Sequence, residues 1–212
     1  MVDFLGDIKE IEAWIKDKFE KKPEVIPTAN TIVVGTPEPS PIQTGMPTAP
    51  LQPNNWPTQK VVWSTFHNNG TAAWVKENLV DVPCPWVLHM DKIVLHSIQI
   101  HKSCAESLTR ILQYIWEQAG STQEAIEKLH YDRYSGSYNY RSIRGGNGAM
   151  SMHSYGLAID FDAEENEQHS PKHLFQADSL IVKAFKAESA IWGGDWSPSS
   201  IDAMHFQFCK VS

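Results

Sequence analysis

Two short segments with alternating side chains constrain the fold of this chain more than any other feature. Residues 157–162 read Leu-Ala-Ile-Asp-Phe-Asp, and residues 204–209 read Met-His-Phe-Gln-Phe-Cys. A period of two is typical of a strand that is buried on one face. Two such strands side by side would bury their apolar faces together, with Asp160 and Asp162 on the polar face of the first. Asp160 and His205 would then point into one cleft.

The histidines and carboxylates near these segments have the composition of a catalytic metal site. His153 lies seven residues before Asp160, and Asp202 lies three residues before His205. A catalytic zinc ion needs three protein ligands and an open position for water, with a further group acting as general base. We therefore predict one bound Zn²⁺. Its ligands would be His153, Asp160 and His205. Asp202 would handle the proton.

This spacing is uncommon in the chain. Of the nine histidines, only one has an aspartate seven positions later. A carboxylate precedes a histidine by three positions at one other place, Glu127 and His130, but that pair lies in a polar helical run and is expected on a solvated face. His169 and His173 are four apart, but Pro171 between them disfavours a continuous helix and favours a surface loop.

The segment from His153 to Asp160 must contain a bend if both residues are to bind one metal ion. A straight strand would place His153 roughly 23 Å from Asp160 at ~3.3 Å per residue, which is too far for both to bind one ion. Gly156 lies between them and can adopt a turn at low cost because it lacks a Cβ atom. We therefore predict the bend at Gly156.

These motifs resemble those of a known family. The pattern Ser-x-His-x-x-Gly-x-Ala-x-Asp at residues 151–160, with Trp-Gly-Gly and an acidic residue before His-Phe at residues 192–206, is similar to the zinc D-Ala-D-Ala peptidases. That group includes bacterial D,D-carboxypeptidases, D,D-dipeptidases and phage L-alanyl-D-glutamate endolysins. The resemblance implies the same three zinc ligands and the same general base that the spacing suggests.

The resemblance also implies substrate-binding residues. The family uses an arginine upstream of the first ligand to bind substrate and stabilise the oxyanion, which favours Arg141 over the alternative Arg144. Ser151 and Trp192 are the other expected substrate contacts. Asp195 would help to shape the pocket wall. Trp196 would either do the same or serve as an ordinary core aromatic residue.

The function implied by the resemblance is zinc-dependent hydrolysis of a peptide bond adjacent to a D-amino acid in peptidoglycan stem peptides. Both L-Ala-D-Glu endopeptidase and D-Ala-D-Ala carboxypeptidase activity remain open, and Asp202 in place of the glutamate of many carboxypeptidases looks more like the endolysin branch. One alternative is a catalytically silent, zinc-stabilised module that binds wall peptides, although an intact Asp202 argues against it. Another is a zinc hydrolase of a different substrate class, such as a general peptidase.

The charge and hydropathy of the chain argue against some classes of partner and location. The net charge of −7 argues against nucleic acid as a partner. The sequence contains no run of 18 or more apolar residues, so we predict no membrane span. The N-terminal residues lack the basic region and following apolar core of a secretory signal. We therefore expect synthesis in a cytoplasm without a secretory signal and action at the cell wall, with a phage or prophage lysin as one option. The three cysteines are expected to be reduced.

The N-terminal part of the chain differs from the rest. Apolar side chains recur at helical spacing from Phe4 to Phe19, which predicts an amphipathic helix over about residues 3–21. This helix would dock on the domain, self-associate, or bind a partner or a membrane surface. Nine of the 13 prolines lie between Pro23 and Pro57. The predicted organisation is a helix at 1–22, a Pro-rich linker or strap at 23–58 and a zinc peptidase domain at 59–212. Residues 1–57 are expected to be dispensable for chemistry.

The remaining patterns indicate an α+β fold. Strands are predicted at 86–90 and 92–97, and helices at about 104–120 and 179–189. The expected architecture is a small, mostly antiparallel sheet with helices on one face and a zinc cleft on the other. The remaining histidines of the strand region are expected to be structural: His89, His96 and His101.

Overall fold

The computed structural model describes residues 49–144 and 148–211. The predicted N-terminal helix and most of the predicted linker lie outside these residues. The α+β class is confirmed. The helices are α1 (Gln59–Thr65), α2 (Ala72–Asn78), α3 (Ala105–Gln118), α4 (Gln123–Lys128) and α5 (Leu180–Ala187). The strands are β1 (Leu79–Met90), β2 (Ile93–His101), β3 (Tyr134–Gly136), β4 (Ala158–Phe161), β5 (Ile191–Trp192) and β6 (His205–Gln207).

The described strands form two antiparallel sheets. β1 and β2 form a long hairpin, and the second sheet has the order β3-β4-β6-β5. The strands predicted at 86–90 and 92–97 lie in the hairpin, whereas the two alternating segments supply β4 and β6. The hairpin turn contains Asp91 at φ +53°, a left-handed conformation that aspartate adopts more readily than most residues. The two strands that carry Asp160 and His205 are therefore short, with four residues in β4 and three in β6.

Helices α3 and α5 supply much of the apolar core. Both coincide with predicted helices, and their buried side chains recur at helical spacing, as expected for a helix with one face on the core. Helix α5 covers the apolar face of the second sheet, where Phe185 lies 4.4 Å from Phe206 between ring centroids. Phe206 neighbours His205 in β6, so its side chain and that of His205 leave opposite faces of the sheet. None of the helices in the described ranges has the length and apolarity needed to cross a membrane.

The predicted bend at Gly156 is confirmed. A short 3₁₀ helix, Met152–Tyr155, ends at Gly156, whose φ of +63° is in the left-handed region. A Cβ atom at this position would lie 2.6 Å from Cδ2 of Leu79, and the Gly156 carbonyl accepts a hydrogen bond of 2.8 Å from His101 N–H. Glycine is thus required here both by the backbone conformation and by the close approach of the β1–β2 hairpin.

The chain just before α1 packs on the domain. The Trp56 indole N–H donates to the Glu188 carbonyl at 2.8 Å, and the Asn54 amide donates to Glu188 Oε2 at 2.6 Å. Lys210 N–H also donates to the Pro57 carbonyl at 2.8 Å. The domain boundary at residue 59 stays a prediction, but these contacts favour a boundary nearer residue 50. They agree with the strap alternative for this end of the Pro-rich segment.

Two sequence-based placements are wrong. Strand β4 ends at Phe161, and Asp162 has φ +46° and is buried, so it is not on the polar face of the strand. Helix α4 ends at Lys128, so His130 is not on a solvated helical face. Instead, His130 Nδ1 lies 2.9 Å from Asp162 Oδ2. Both residues have a left-handed backbone conformation, with φ of +61° and +46°. The predicted surface loop that contains His169 is confirmed.

Candidate metal site

The predicted ligand residues converge in the fold. Asp160 in β4 is directly opposite His205 in β6, and Asp160 Oδ1 lies 3.0 Å from His205 Nδ1. The 3₁₀ helix before Gly156 brings His153 to the same point, with its Nε2 atom 3.2 Å from Asp160 Oδ2 and 3.1 Å from His205 Nδ1. The three ligand atoms all lie within 4.8 Å of one another. A local bend and one strand pairing therefore bring together residues that are 52 positions apart.

Bonds on the far side of each imidazole fix its orientation. His153 Nδ1–H donates to the Ser137 carbonyl at 2.6 Å, which leaves Nε2 as the donor atom for a metal. His205 Nε2–H donates to Gln207 Oε1 at 3.1 Å, which leaves Nδ1. The Gln207 amide N–H₂ in turn donates to the Cys209 carbonyl at 2.7 Å, so its oxygen must face the ring. In their neutral forms, both rings therefore present an acceptor nitrogen to the common point.

Sequence reasoning assigned no role to these two orienting groups. Gln207 carried one signal, because it lies two positions after His205 and therefore on the same strand face. Ser137 acts through its backbone carbonyl, which any residue type would supply, so the sequence carries no mark of it. Orientation of the first histidine thus depends on how the segment after β3 packs.

Within the set formed by His153, Asp160 and His205 (the trio), the histidines stabilise the charged form of the aspartate, and the aspartate stabilises that of His205. Burial raises the pKa of Asp160, but the charge of His153 and the hydrogen bonds that both histidines donate in their protonated forms outweigh it and hold the pKa well below its usual range. Burial lowers the pKa of His205, and the Asp160 carboxylate outweighs this effect and raises the pKa. Two imidazole nitrogens and one carboxylate oxygen are a common donor set for catalytic Zn²⁺, which keeps a fourth position open. The described residues therefore fit the predicted metal.

Asp202 lies beside the trio without being part of it. A turn connects it to β6, with His205 N–H donating to the Asp202 carbonyl at 3.2 Å. Its Oδ1 atom is buried and has no hydrogen-bond partner among the described residues. Burial raises the pKa of Asp202 to about 6, opposed by His205 and reinforced by Asp160. A carboxylate with a raised pKa and an unused acceptor atom has the properties of a general base.

The two glycines of the Trp-Gly-Gly segment are explained by packing. A Cβ atom on Gly193 would overlap the Asp202 carbonyl oxygen, and one on Gly194 would overlap the Trp192 ring. The Gly193 carbonyl also accepts a hydrogen bond of 3.1 Å from Asp202 N–H. Gly193 thus lets the backbone approach the proposed base closely, and Gly194 lets it fold over the tryptophan.

A family model described as D-alanyl-D-alanine carboxypeptidase matches residues 144–208. The predicted resemblance to the zinc D-Ala-D-Ala peptidase family is confirmed. The matched segment contains the convergent trio, Asp202 and the Trp-Gly-Gly run. Comparison with curated proteins and with solved structures gives no match. The matched segment is therefore similar to a metallopeptidase site.

The expected substrate contacts Ser151 and Trp192 have structural partners in this fold. Ser151 caps the 3₁₀ helix, its hydroxyl oxygen accepting a hydrogen bond of 3.4 Å from His153 N–H. The buried Trp192 donates its indole N–H to the Ala203 carbonyl at 2.8 Å. Asp195 forms a surface ion pair with Lys186. Substrate binding by Ser151 and Trp192 stays a prediction.

Arg141 lies beside the segment that carries the first ligand. Its N–H donates to the Ser154 hydroxyl at 2.9 Å, and its carbonyl accepts from Ser151 N–H at 3.0 Å. Arg141 is half-buried, whereas Arg144 is exposed. Arg141 precedes the segment matched by the family model, whereas Arg144 is its first residue, and the choice of Arg141 over Arg144 stays a prediction.

Proposed function

We propose that this chain is a zinc-dependent peptidase that hydrolyses a peptide bond adjacent to a D-amino acid in peptidoglycan stem peptides. The observation that carries the proposal is the convergence of His153, Asp160 and His205 beside the buried carboxylate of Asp202. The match of this segment to the D-alanyl-D-alanine carboxypeptidase model supports the substrate class. The proposed cofactor is one Zn²⁺ held by the trio.

Each residue of the site has a distinct task in this proposal. A zinc ion held by the trio supplies Lewis-acid polarisation of the scissile carbonyl and lowers the pKa of water. Asp202 accepts the proton of the attacking water at Oδ1 and later delivers it to the leaving amine. Ser137 and Gln207 keep the two imidazoles in the orientation that offers their acceptor nitrogens. The protein therefore supplies the proton transfer and a preorganised ligand set.

We assign the stabilisation of developing negative charge to Arg141. A guanidinium remains charged at any physiological pH and can bind an oxyanion or a substrate carboxylate with two parallel hydrogen bonds. Its backbone is fixed by Ser151 and Ser154, which flank His153 on either side. Arg141→Ala should raise KM or lower kcat with no change in zinc content, whereas Arg144→Ala should leave both near the wild-type values.

A wall-peptide-binding module without catalytic activity is disfavoured by Asp202. A buried carboxylate oxygen without a hydrogen-bond partner costs free energy in the folded state. A site that only binds metal and peptide gains nothing from such a group, whereas a hydrolase needs it. A general peptidase would need the same group, so only the substrate test separates that alternative.

Digestion of purified peptidoglycan tests the proposal. The wild-type protein loaded with zinc should generate new termini, and chelator should abolish them until zinc is restored. Mass spectrometry of the products distinguishes cleavage at L-Ala-D-Glu from cleavage at D-Ala-D-Ala. The matched control is Asp202→Asn, which should bind zinc and release products at least about 10²-fold more slowly. Cleavage that persists after chelation, or cleavage of an unrelated protein but not of peptidoglycan, would contradict the proposal.

A further inference from the structure

Most of the described tryptophans use their indole N–H in the same way. Five of them donate it to a backbone carbonyl oxygen over 2.8–3.1 Å. They are Trp56, Trp63, Trp74, Trp86 and Trp192. This fold therefore satisfies indole N–H groups systematically, and a buried exception calls for an explanation.

Trp196 is such an exception. Its Nε1 atom is buried and has no hydrogen-bond partner in the described part of the chain. An unpaired buried donor costs free energy in the folded state, because the group has lost its hydrogen bonds to water. The position of the residue is nevertheless fixed, because Trp196 N–H donates to the Gly193 carbonyl at 3.2 Å. A protein that holds an unpaired donor in a defined place has a group available for a ligand.

The surroundings of Trp196 indicate which ligand. Its ring lies 5.4 Å from the His205 ring between centroids, with 47° between the planes, so the indole forms part of the wall next to the metal site. An indole N–H only donates, so its partner must be an acceptor such as a carbonyl or carboxylate oxygen. The other unpaired buried atom near His205 is Asp202 Oδ1, which is an acceptor.

We infer that the Trp196 indole N–H donates a hydrogen bond to an oxygen of the bound peptide substrate, and this inference rests on the proposed peptidase function. Trp196 thereby positions the substrate next to the ligand trio, and Asp202 remains available for the proton. Trp192, one of the expected substrate contacts, already donates its N–H to Ala203, so this N–H is not available to the substrate. The two tryptophans of one short segment thus have different tasks.

Replacement by phenylalanine separates these tasks. Trp196→Phe retains an aromatic ring beside His205 and removes the N–H. We expect kcat/KM on a soluble stem peptide to fall about 10-fold, mainly through KM, because one hydrogen bond to the substrate is lost. Zinc content and thermal stability should not fall, since the N–H has no partner in the folded protein. Trp192→Phe is the matched control and should lower the melting temperature, because it breaks the bond to Ala203.

A second measurement does not depend on turnover. The indole ¹H–¹⁵N signals of the zinc-loaded Asp202→Asn protein can be followed while a stem tetrapeptide is added. The Trp196 signal, assigned by its loss in the Trp196→Phe protein or by selective labelling if that variant does not fold, should move downfield. The Trp192 signal should stay close to its original position because its N–H is already bonded.

The outcomes separate this inference from the function on which it rests. If zinc-loaded wild type does not cleave stem peptides and neither indole signal responds, the proposed function fails and the inference fails with it. If wild type cleaves, but Trp196→Phe has the same kcat/KM and the Trp196 signal does not move, only the inference is overturned. The N–H would then bond to ordered water rather than to substrate.

Discussion

Asp160 and His205 are direct cross-strand partners in the β4–β6 pair, and their side chains meet at 3.0 Å. A shift of one residue in this pairing would turn one side chain to the opposite face of the sheet, since side chains alternate along a strand. The candidate metal site therefore depends on the register, which the apolar partners Ile159 and Phe206 help to fix from the other face.

Loss of a ligand should abolish metal binding. We expect His153→Ala, Asp160→Ala and His205→Ala each to lose zinc, because each removes one of three donors. Zinc at about 100 times its Kd should stabilise wild type by about 2.7 kcal/mol and the variants by much less. Elemental analysis and thermal unfolding with and without zinc measure this. His96→Ala, which changes an exposed histidine outside the trio, is the control. Full zinc occupancy in His205→Ala would refute the ligand assignment.

Removal of the proposed base should affect turnover alone. Asp202→Asn should retain zinc and fold but lower kcat by about 10²-fold or more, as is typical for the loss of general-base catalysis. Glu164→Gln changes an exposed carboxylate outside the site, so it should retain near-wild-type kcat. Steady-state kinetics on a soluble stem peptide compares the two. A near-wild-type rate for Asp202→Asn would remove it from the mechanism.

The close approach of Gly193 to Asp202 should be essential. In Gly193→Ala, the added Cβ atom would overlap the Asp202 carbonyl oxygen, so the turn before β6 must shift. We expect lower stability and a loss of activity greater than the loss of zinc. Gly120→Ala is a useful comparison, because Gly120 has φ +99° and open space around it. That change should cost about 1 kcal/mol of stability and leave kcat unchanged.

Glu188 should give the fold part of its acid sensitivity. Burial raises the pKa of this carboxyl, but hydrogen bonds from Arg110, Gln52 N–H and Ser107 outweigh it and lower the pKa below its ordinary value. A carboxyl with a lowered folded-state pKa stabilises the protein above its unfolded pKa, and that contribution disappears as the pH falls through the folded value. Glu188→Gln should therefore be less stable near pH 7 and lose less stability on acidification.

Glu188→Gln should lower the unfolding free energy at neutral pH by about 3 kcal/mol, because it leaves Arg110 without its charged partner. Chemical denaturation between pH 3 and pH 8 gives the comparison. Glu124→Gln breaks an exposed pair with Lys128 and should change the unfolding free energy by less than about 1 kcal/mol. An identical pH dependence in wild type and Glu188→Gln would contradict the assignment.

The N-terminal boundary can be tested by truncation. A chain that begins at residue 49 retains the contacts of Asn54 and Trp56 with Glu188. We expect it to fold, bind zinc and cleave soluble stem peptides at close to the full-length rate. A chain that begins at residue 59 loses these contacts and the packing of Trp56 on Phe208, so its unfolding free energy should fall by about 3 kcal/mol or more. Equal stability of the two chains would support the boundary at 59.

The amino-acid sequence by itself determined the features that are encoded locally. The alternating runs around Asp160 and His205 specified two strands, and helical spacing specified α3 and α5. Gly156 marked the bend because no other residue adopts that conformation as cheaply. Histidine and aspartate at fixed spacings predicted that His153, Asp160 and His205 converge, since few residue types bind zinc.

The tertiary structure decided what depends on residues distant in the chain. The pairing of His130 with Asp162, the Ser137 carbonyl behind His153 and the unpaired N–H of Trp196 leave no local pattern. Gln207 could be placed on the correct face, but its hydrogen bond required the amide to be fixed by Cys209. The physical reason is that spacing specifies where a side chain leaves the backbone, whereas its partners are set by strand register and by the packing of separate segments.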